Sequence, residues 1–90
     1  MRVLNRMRQA ICEQRYRISS HANEEMSNDG LLAVDIEAII LRGKIARKFT
    51  HDLRGTRYEI MGETTDGRTG GVVCRFLPSN VLLIITAYVL

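Results

Sequence analysis

The sequence predicts an α+β fold, with N-terminal helices packed on one face of a four-stranded, mainly antiparallel sheet. Three observations carry that prediction. Apolar residues recur at spacings of three and four through the first half of the chain, the period changes to strict alternation after Gly43, and the alternating stretches are joined by connections short enough to demand antiparallel neighbours. At 90 residues, 46% of them hydrophobic, the chain suits one domain over residues 1–90 with a modest core and is too apolar for disorder.

The first segment sets Val3, Leu4, Met7, Ala10 and Ile11 on one stripe against Arg2, Arg6, Arg8, Gln9 and Glu13, which predicts an amphipathic helix from Val3 to Gln14. Arg15 to Ser19 reads as a short extended entry to a second helix. A capping serine and an acidic first turn with Glu24 and Glu25 mark the start of that helix, and Asn28-Asp29-Gly30 marks its end. Ile36, Ile39 and Ile40 then recur at helical spacing, with Asp35 and Glu37 early, Arg42 late and Gly43 beyond. A third helix from Ala33 to Arg42 follows.

Lys44 to Thr50 alternates as a strand, and His51-Asp52-Leu53-Arg54-Gly55-Thr56 is the loop after it. Arg57 to Glu63, Gly71 to Leu77 and Val81 to Val89 complete a meander, broken at Asp66-Gly67 and Pro78-Ser79-Asn80. Alternation directs Tyr58, Ile60, Val72, Cys74, Phe76, Leu83, Ile85 and Ala87 toward the helices. Arg57, Glu59, Arg75, Thr86 and Tyr88 then share the opposite face with Val73, Leu82 and Ile84.

A net charge of +3 suits a polyanionic partner without demanding one. Its distribution is more informative, because residues 1–17 carry +4, residues 18–41 carry −5, residues 42–58 carry +5 and residues 59–90 carry −1. Folding can set such blocks as neutralising neighbours or as a basic face beside an acidic one. Cys12 and Cys74 lie far apart without a CxxC spacing, and neither His21 nor His51 has a partner at zinc-ligand spacing. Two free thiols, no metal and no cofactor are predicted. The arginine-rich start lacks the apolar run of a signal peptide, and the longest apolar stretch, Val81 to Ile85, is far short of the roughly 20 residues of a membrane span. A cytoplasmic protein with no membrane partner is the expectation.

Metal-independent RNA cleavage needs a base for the 2′-hydroxyl proton, cations for the charge of the transition state and an acid for the leaving oxygen. His21, Arg57, Arg75, Tyr88 and Glu24 offer those groups. Each also has a plainer role: His21 satisfied at a helix start, the arginines solvated on strands, Tyr88 amphipathic at a core edge, and the glutamates favouring a helix N-terminus. Spacing alone stops at a small α+β domain with an anion-binding face.

The run Tyr16-Arg17-Ile18-Ser19-Ser20-His21-Ala22, then Met26, Gly30 and Asp35-Ile36, then Arg57-Tyr58 and Gly62 before Asp66-Gly67-Arg68, and finally Ile84-Ile85-Thr86-Ala87-Tyr88, resembles the bacterial family catalogued as domain of unknown function 4258. The resemblance spans about residues 16–88, and the Ser-x-His-Ala start and the Thr-x-Tyr end are its most specific parts. It implies membership of the RelE-like and BrnT-like group of toxin folds, many of which are messenger-RNA interferases held inactive by an antitoxin. The function implied is the toxin of a type II toxin–antitoxin pair, acting as a metal-independent endoribonuclease on mRNA, free or on the ribosome. Its partner would be an antitoxin, which some relatives carry with a YgiT-type zinc finger. The family motif falls on Ser19, His21, Arg57, Thr86 and Tyr88, with Arg75 and Glu24 added by the argument from the shared face and Arg54 as a further RNA-binding candidate. His21, Arg57 and Tyr88 are the catalytic candidates, expected around one solvent-accessible depression with Arg75 close by, and Ser19, Arg54, Arg75 and Thr86 are the RNA-binding ones.

Two positions depart from the family pattern. Glu25 stands where an arginine is common, and Leu32 stands where a capping serine is common. Glu25 supports an alternative, a non-catalytic RNA- or protein-binding module with the same fold. The apolar Val81 to Leu90 end strand supports a third reading, a homodimer formed by adding sheet edge to sheet edge.

Overall fold

The arginine-flanked stripe of the first segment forms helix α1 (Arg2–Cys12), which buries Met7, Ala10 and Ile11. It ends two residues before the sequence-predicted boundary, because Gln14 adopts a left-handed φ of 58° that turns the chain back. This is a computed structural model, and it describes residues 2–90.

The extended entry is itself a strand, β1 (Tyr16–Ile18). Helices α2 (Ser20–Asp29) and α3 (Ala33–Arg42) follow, then strands β2 (Lys44–Phe49), β3 (Arg57–Glu63), β4 (Thr69–Phe76) and β5 (Leu82–Val89). β1 pairs in parallel with β5, Tyr16 opposite Leu82 and Ile18 opposite Ile84. The sheet is therefore five-stranded and mixed, in the order β1-β5-β4-β3-β2, and the four-stranded expectation is corrected. The remaining pairings are antiparallel, as the short connections required. A three-residue strand whose partner lies near the far end of the chain leaves no local periodicity to read.

Helix ends are held by local caps and, at the end of α3, by a side chain from α1. Ser19 caps α2, its Oγ accepting the Ala22 N–H at 3.0 Å, so Glu24 and Glu25 fall beyond the first turn and the acidic first turn is not found. Gly30, at φ 66°, supplies the left-handed residue that ends α2. Leu32 caps nothing with its side chain. Asp35 instead accepts the Leu32 N–H at 2.9 Å, and its other oxygen accepts the Thr65 N–H and hydroxyl at 2.9 and 2.6 Å. That buried carboxylate ties the start of α3 to the β3–β4 turn. At the other end of α3, Arg8 donates from Nε to the Ile40 carbonyl and from Nη2 to the Gly43 carbonyl.

The core joins α1 (Met7, Ala10, Ile11), α2 (Ala22, Met26) and α3 (Ile36, Ile39, Ile40) to one sheet face bearing Ile60, Val72, Cys74, Leu82, Ile84 and Ala87. Alternation reads β3 and β4 correctly and fails on β5. Between the Val73–Thr86 and Cys74–Ile84 pairs the register shifts, which leaves Ile85 as an extra residue in a β-bulge. Leu82 and Ile84 are consequently buried in the core, and Leu83 and Ile85 face away from it, the reverse of what strict alternation predicts. Beyond the bulge Ala87 is again a core residue, and Thr86 and Tyr88 lie on the open face, in register with Val73 and Gly71. Cys12 is exposed and Cys74 buried, and both thiols are free; burial pushes the Cys74 thiol up to about 12. No described helix is long and apolar enough to cross a membrane.

Candidate anion-binding site

The open face of the sheet is organised in rows set by register. Arg57 on β3 and Arg75 on β4 belong to one row, which Leu83 extends on β5; Arg47, Glu59, Val73 and Thr86 form the next, and Met61, Gly71 and Tyr88 the one after. Across the first row lies the loop after β2. Asp52 folds that loop by accepting the Arg54 N–H on Oδ1 at 2.9 Å, while its carbonyl accepts the Gly55 N–H. Arg75 fixes the loop to the sheet through an Nη1 bond to the Arg54 carbonyl at 3.0 Å.

Beneath this loop is a depression of about 320 Å³ lined by Ser19, His21, Asp52, Arg54, Arg57, Arg75, Leu83 and Ile85. The structure thus brings together five of the sequence-predicted residues: Ser19, His21, Arg54, Arg57 and Arg75. Thr86 and Tyr88 do not line it, and the expectation of a depression shared by His21, Arg57 and Tyr88 is corrected to that extent. The reason is again register, since Tyr88 stands two rows from Arg57 and its ring lies over Gly71, where no Cβ would fit. Its hydroxyl donates to Glu59 Oε2 at 2.6 Å, and Glu59 Oε1 accepts from Arg47 Nε at 3.0 Å. Burial, with the Glu59 carboxylate beside it, pushes the Tyr88 hydroxyl up to about 12, so it remains a protonated donor at neutral pH.

Three guanidiniums and an imidazole therefore face a space containing a single carboxylate. Arg57 Nε lies 3.0 Å from Asp52 Oδ2 but is not aligned for a hydrogen bond, and Arg57 makes no aligned hydrogen bond among the described residues. With 37% of its side chain exposed, it keeps donors for an incoming anion. Arg57 also lies over the Phe49 ring, 5.2 Å from its centroid, which restricts where the guanidinium can swing. A neighbouring hollow lined by Lys48, Phe49, Thr50, His51, Asp52 and Arg57 continues the cationic surface to the β2 edge.

His21 stands at the rim, in the first turn of α2, with 66% of its side chain exposed. Its Nε2 lies 3.3 Å from Glu25 Oε1, and that same oxygen accepts the Ala87 N–H at 3.1 Å. Glu25 is thus no mere loss of a cation: it satisfies a strand-edge donor of β5 and orients the imidazole. Ser19 acts similarly, donating its hydroxyl to the Ile85 carbonyl at 3.0 Å while capping α2. Asp52, Leu83 and Ile85 were missed from sequence. The Asx-turn pattern of Asp52-Leu53-Arg54 was available as a signal for the first; the other two were hidden by the bulge. Among the described residues no group of three or more His, Cys, Asp or Glu side chains gathers at metal-binding distance.

An α+β domain with a cationic depression on the helix-free face of its sheet is the class that this geometry defines. The chain belongs to the family described as Domain of unknown function (DUF4258), which matches residues 18–89. Neither a curated protein nor a solved structure matches it.

Proposed function

We propose that this chain binds RNA through the depression and is the toxin of a type II toxin–antitoxin pair, a metal-independent endoribonuclease of the RelE-like and BrnT-like fold group. The observation that supports it is the convergence of Arg54, Arg57, Arg75 and an exposed His21 around one carboxylate. A phosphodiester held by Arg57 and Arg75 brings its ribose within reach of the imidazole, the side-chain type suited to proton transfer near neutral pH. In this reading His21 takes the 2′-hydroxyl proton, the 2′-oxygen attacks phosphorus, and the bond to the 5′-oxygen breaks. The imidazolium then returns the proton to the departing 5′-oxygen, leaving a 2′,3′-cyclic phosphate. Guanidiniums offset the charge that builds on the non-bridging oxygens. The cognate antitoxin, a candidate being a protein with a YgiT-type zinc finger, would silence the enzyme by covering this face.

One observation favours a second reading, a non-catalytic RNA-binding module: Tyr88, a catalytic candidate from the family motif, stands outside the depression with its hydroxyl committed to Glu59. The two separate cleanly in one experiment. Expression of the chain alone should arrest growth, His21→Ala should relieve the arrest, and the purified chain should cut RNA with or without ribosomes in a His21-dependent way. RNA binding without cleavage under both conditions selects the module instead, and absence of binding removes both readings.

A further inference from the structure

The floor of the depression is not what a bare phosphate requires. Leu83 and Ile85, both half-buried, line it beside Arg75; they share a face by ordinary alternation, and the bulge brings Thr86 onto that face while Leu82, Ile84 and Ala87 stay in the core. An inorganic anion gains nothing from an aliphatic floor, since apolar surface offers no donor and weakens its hydration. A nucleotide gains from both parts, because its base has a broad apolar face and its phosphate a charge. The volume, about 320 Å³, is at the lower end of the range for small-molecule pockets and suits one nucleotide rather than several.

Resting on the reading of this depression as an RNA phosphate site, we propose that it is a single-nucleotide subsite in which an unpaired base lies flat on Leu83 and Ile85 while Arg57 and Arg75 hold its phosphate. Arg54, on the exposed loop, supplies a guanidinium plane to cover the opposite face of the base, as arginines do on unstacked RNA bases. Apart from His21, which the proposed mechanism commits to the ribose, no hydroxyl or carboxylate lining the depression is free to read the base edge. The Ser19 hydroxyl is used by Ile85 and Ala22, and the Asp52 carboxylate by Arg54 and Arg57. Recognition is therefore of the face of the base, and it selects single-stranded over helical RNA, whose bases expose only their edges.

The test is binding of a fluorescent 2′-O-methyl oligoadenylate, which lacks the nucleophile for cleavage, against an abasic strand of equal length and phosphate number. The intact strand should bind about tenfold more tightly, the ratio expected when roughly 55 Å² of apolar surface leaves water. Annealing it to a complementary strand should abolish the advantage. Leu83→Ser with Ile85→Ser should bring the ratio close to one and leave the abasic affinity unchanged, with circular dichroism verifying the fold; Ile85→Thr, which keeps the β-branch, replaces the pair should it not fold. Equal binding of intact and abasic strands overturns the subsite and leaves the phosphate site standing. Failure of both strands to bind at low salt overturns the RNA reading itself.

Discussion

Asp35 shows how much one side chain can carry. Its two oxygens take the Leu32 N–H and the Thr65 N–H and hydroxyl, and these bonds hold its carboxyl below the usual carboxylate value of 3.8. A carboxylate with a lowered folded pKa contributes stability that is present above the unfolded value and lost as pH falls through the folded one. Asp35→Asn, which turns an amide donor toward a backbone or hydroxyl donor, should destabilise the fold by about 1–3 kcal/mol at pH 7. In urea unfolding the gap between variant and parent should narrow below about pH 4; a gap that stays constant to pH 2 would show that packing, not charge, is responsible. From sequence Asp35 was legible as an acid in the first turn of a helix. Its partner Thr65 was not, because the contact is made by tertiary packing. Tyr88 was picked out correctly as a residue of the open face, but its commitment to Glu59 depends on the absence of a side chain at Gly71, which no motif announces.

At the scale of elements, the outer edge of β5 is the instructive case. β1 covers it only to Ile84, and beyond that point α2 takes over with side chains, Ser19 closing the Ile85 carbonyl and Glu25 the Ala87 N–H. Ser19→Ala removes a helix cap and a strand-edge donor together. It should cost about 1–2 kcal/mol, which for a domain of this size is a fall in melting temperature of roughly 4–16 °C; an unchanged thermal scan would show that water replaces both bonds. The helices and strands β2 to β4 were legible nearly to their ends, since each has its own period or, for α2, its own start and stop signals. β5 was read in the right place with half its residues turned the wrong way. Alternation carries no mark for a single inserted residue, and Val81 to Ile85 is apolar at every position, so either assignment of faces satisfies hydrophobicity there.

At the scale of the whole molecule, the alternating charge blocks resolve into a cationic site assembled from distant segments. His21 comes from the acidic second block, Arg54 and Arg57 from the basic third, and Arg75 from the nearly neutral fourth. Net charge gave no access to this. If Arg57 and Arg75 each displace one counterion from the strand, the logarithm of the affinity for single-stranded RNA should fall with the logarithm of salt concentration with a slope of about −1.4. Arg75→Ala should make that slope shallower by about 0.7. Titrations at several salt concentrations measure it, and an unaltered slope would place Arg75 outside the contact. Strand number was the main error at this scale, because a parallel partner from the other end of the chain is visible only after folding.

The contribution of α1 separates two meanings of a domain. The family match begins at residue 18, yet Met7, Ala10 and Ile11 are among the most deeply buried side chains, Arg8 closes the end of α3, and Tyr16 and Arg17 supply most of β1. The segment that is recognisable by ancestry is therefore smaller than the segment that packs as one unit. A chain started at the ancestral boundary would expose an apolar hollow the size of a helix stripe and uncover one edge of β5. In kinship residues 2–17 are peripheral; in packing they belong to the interior.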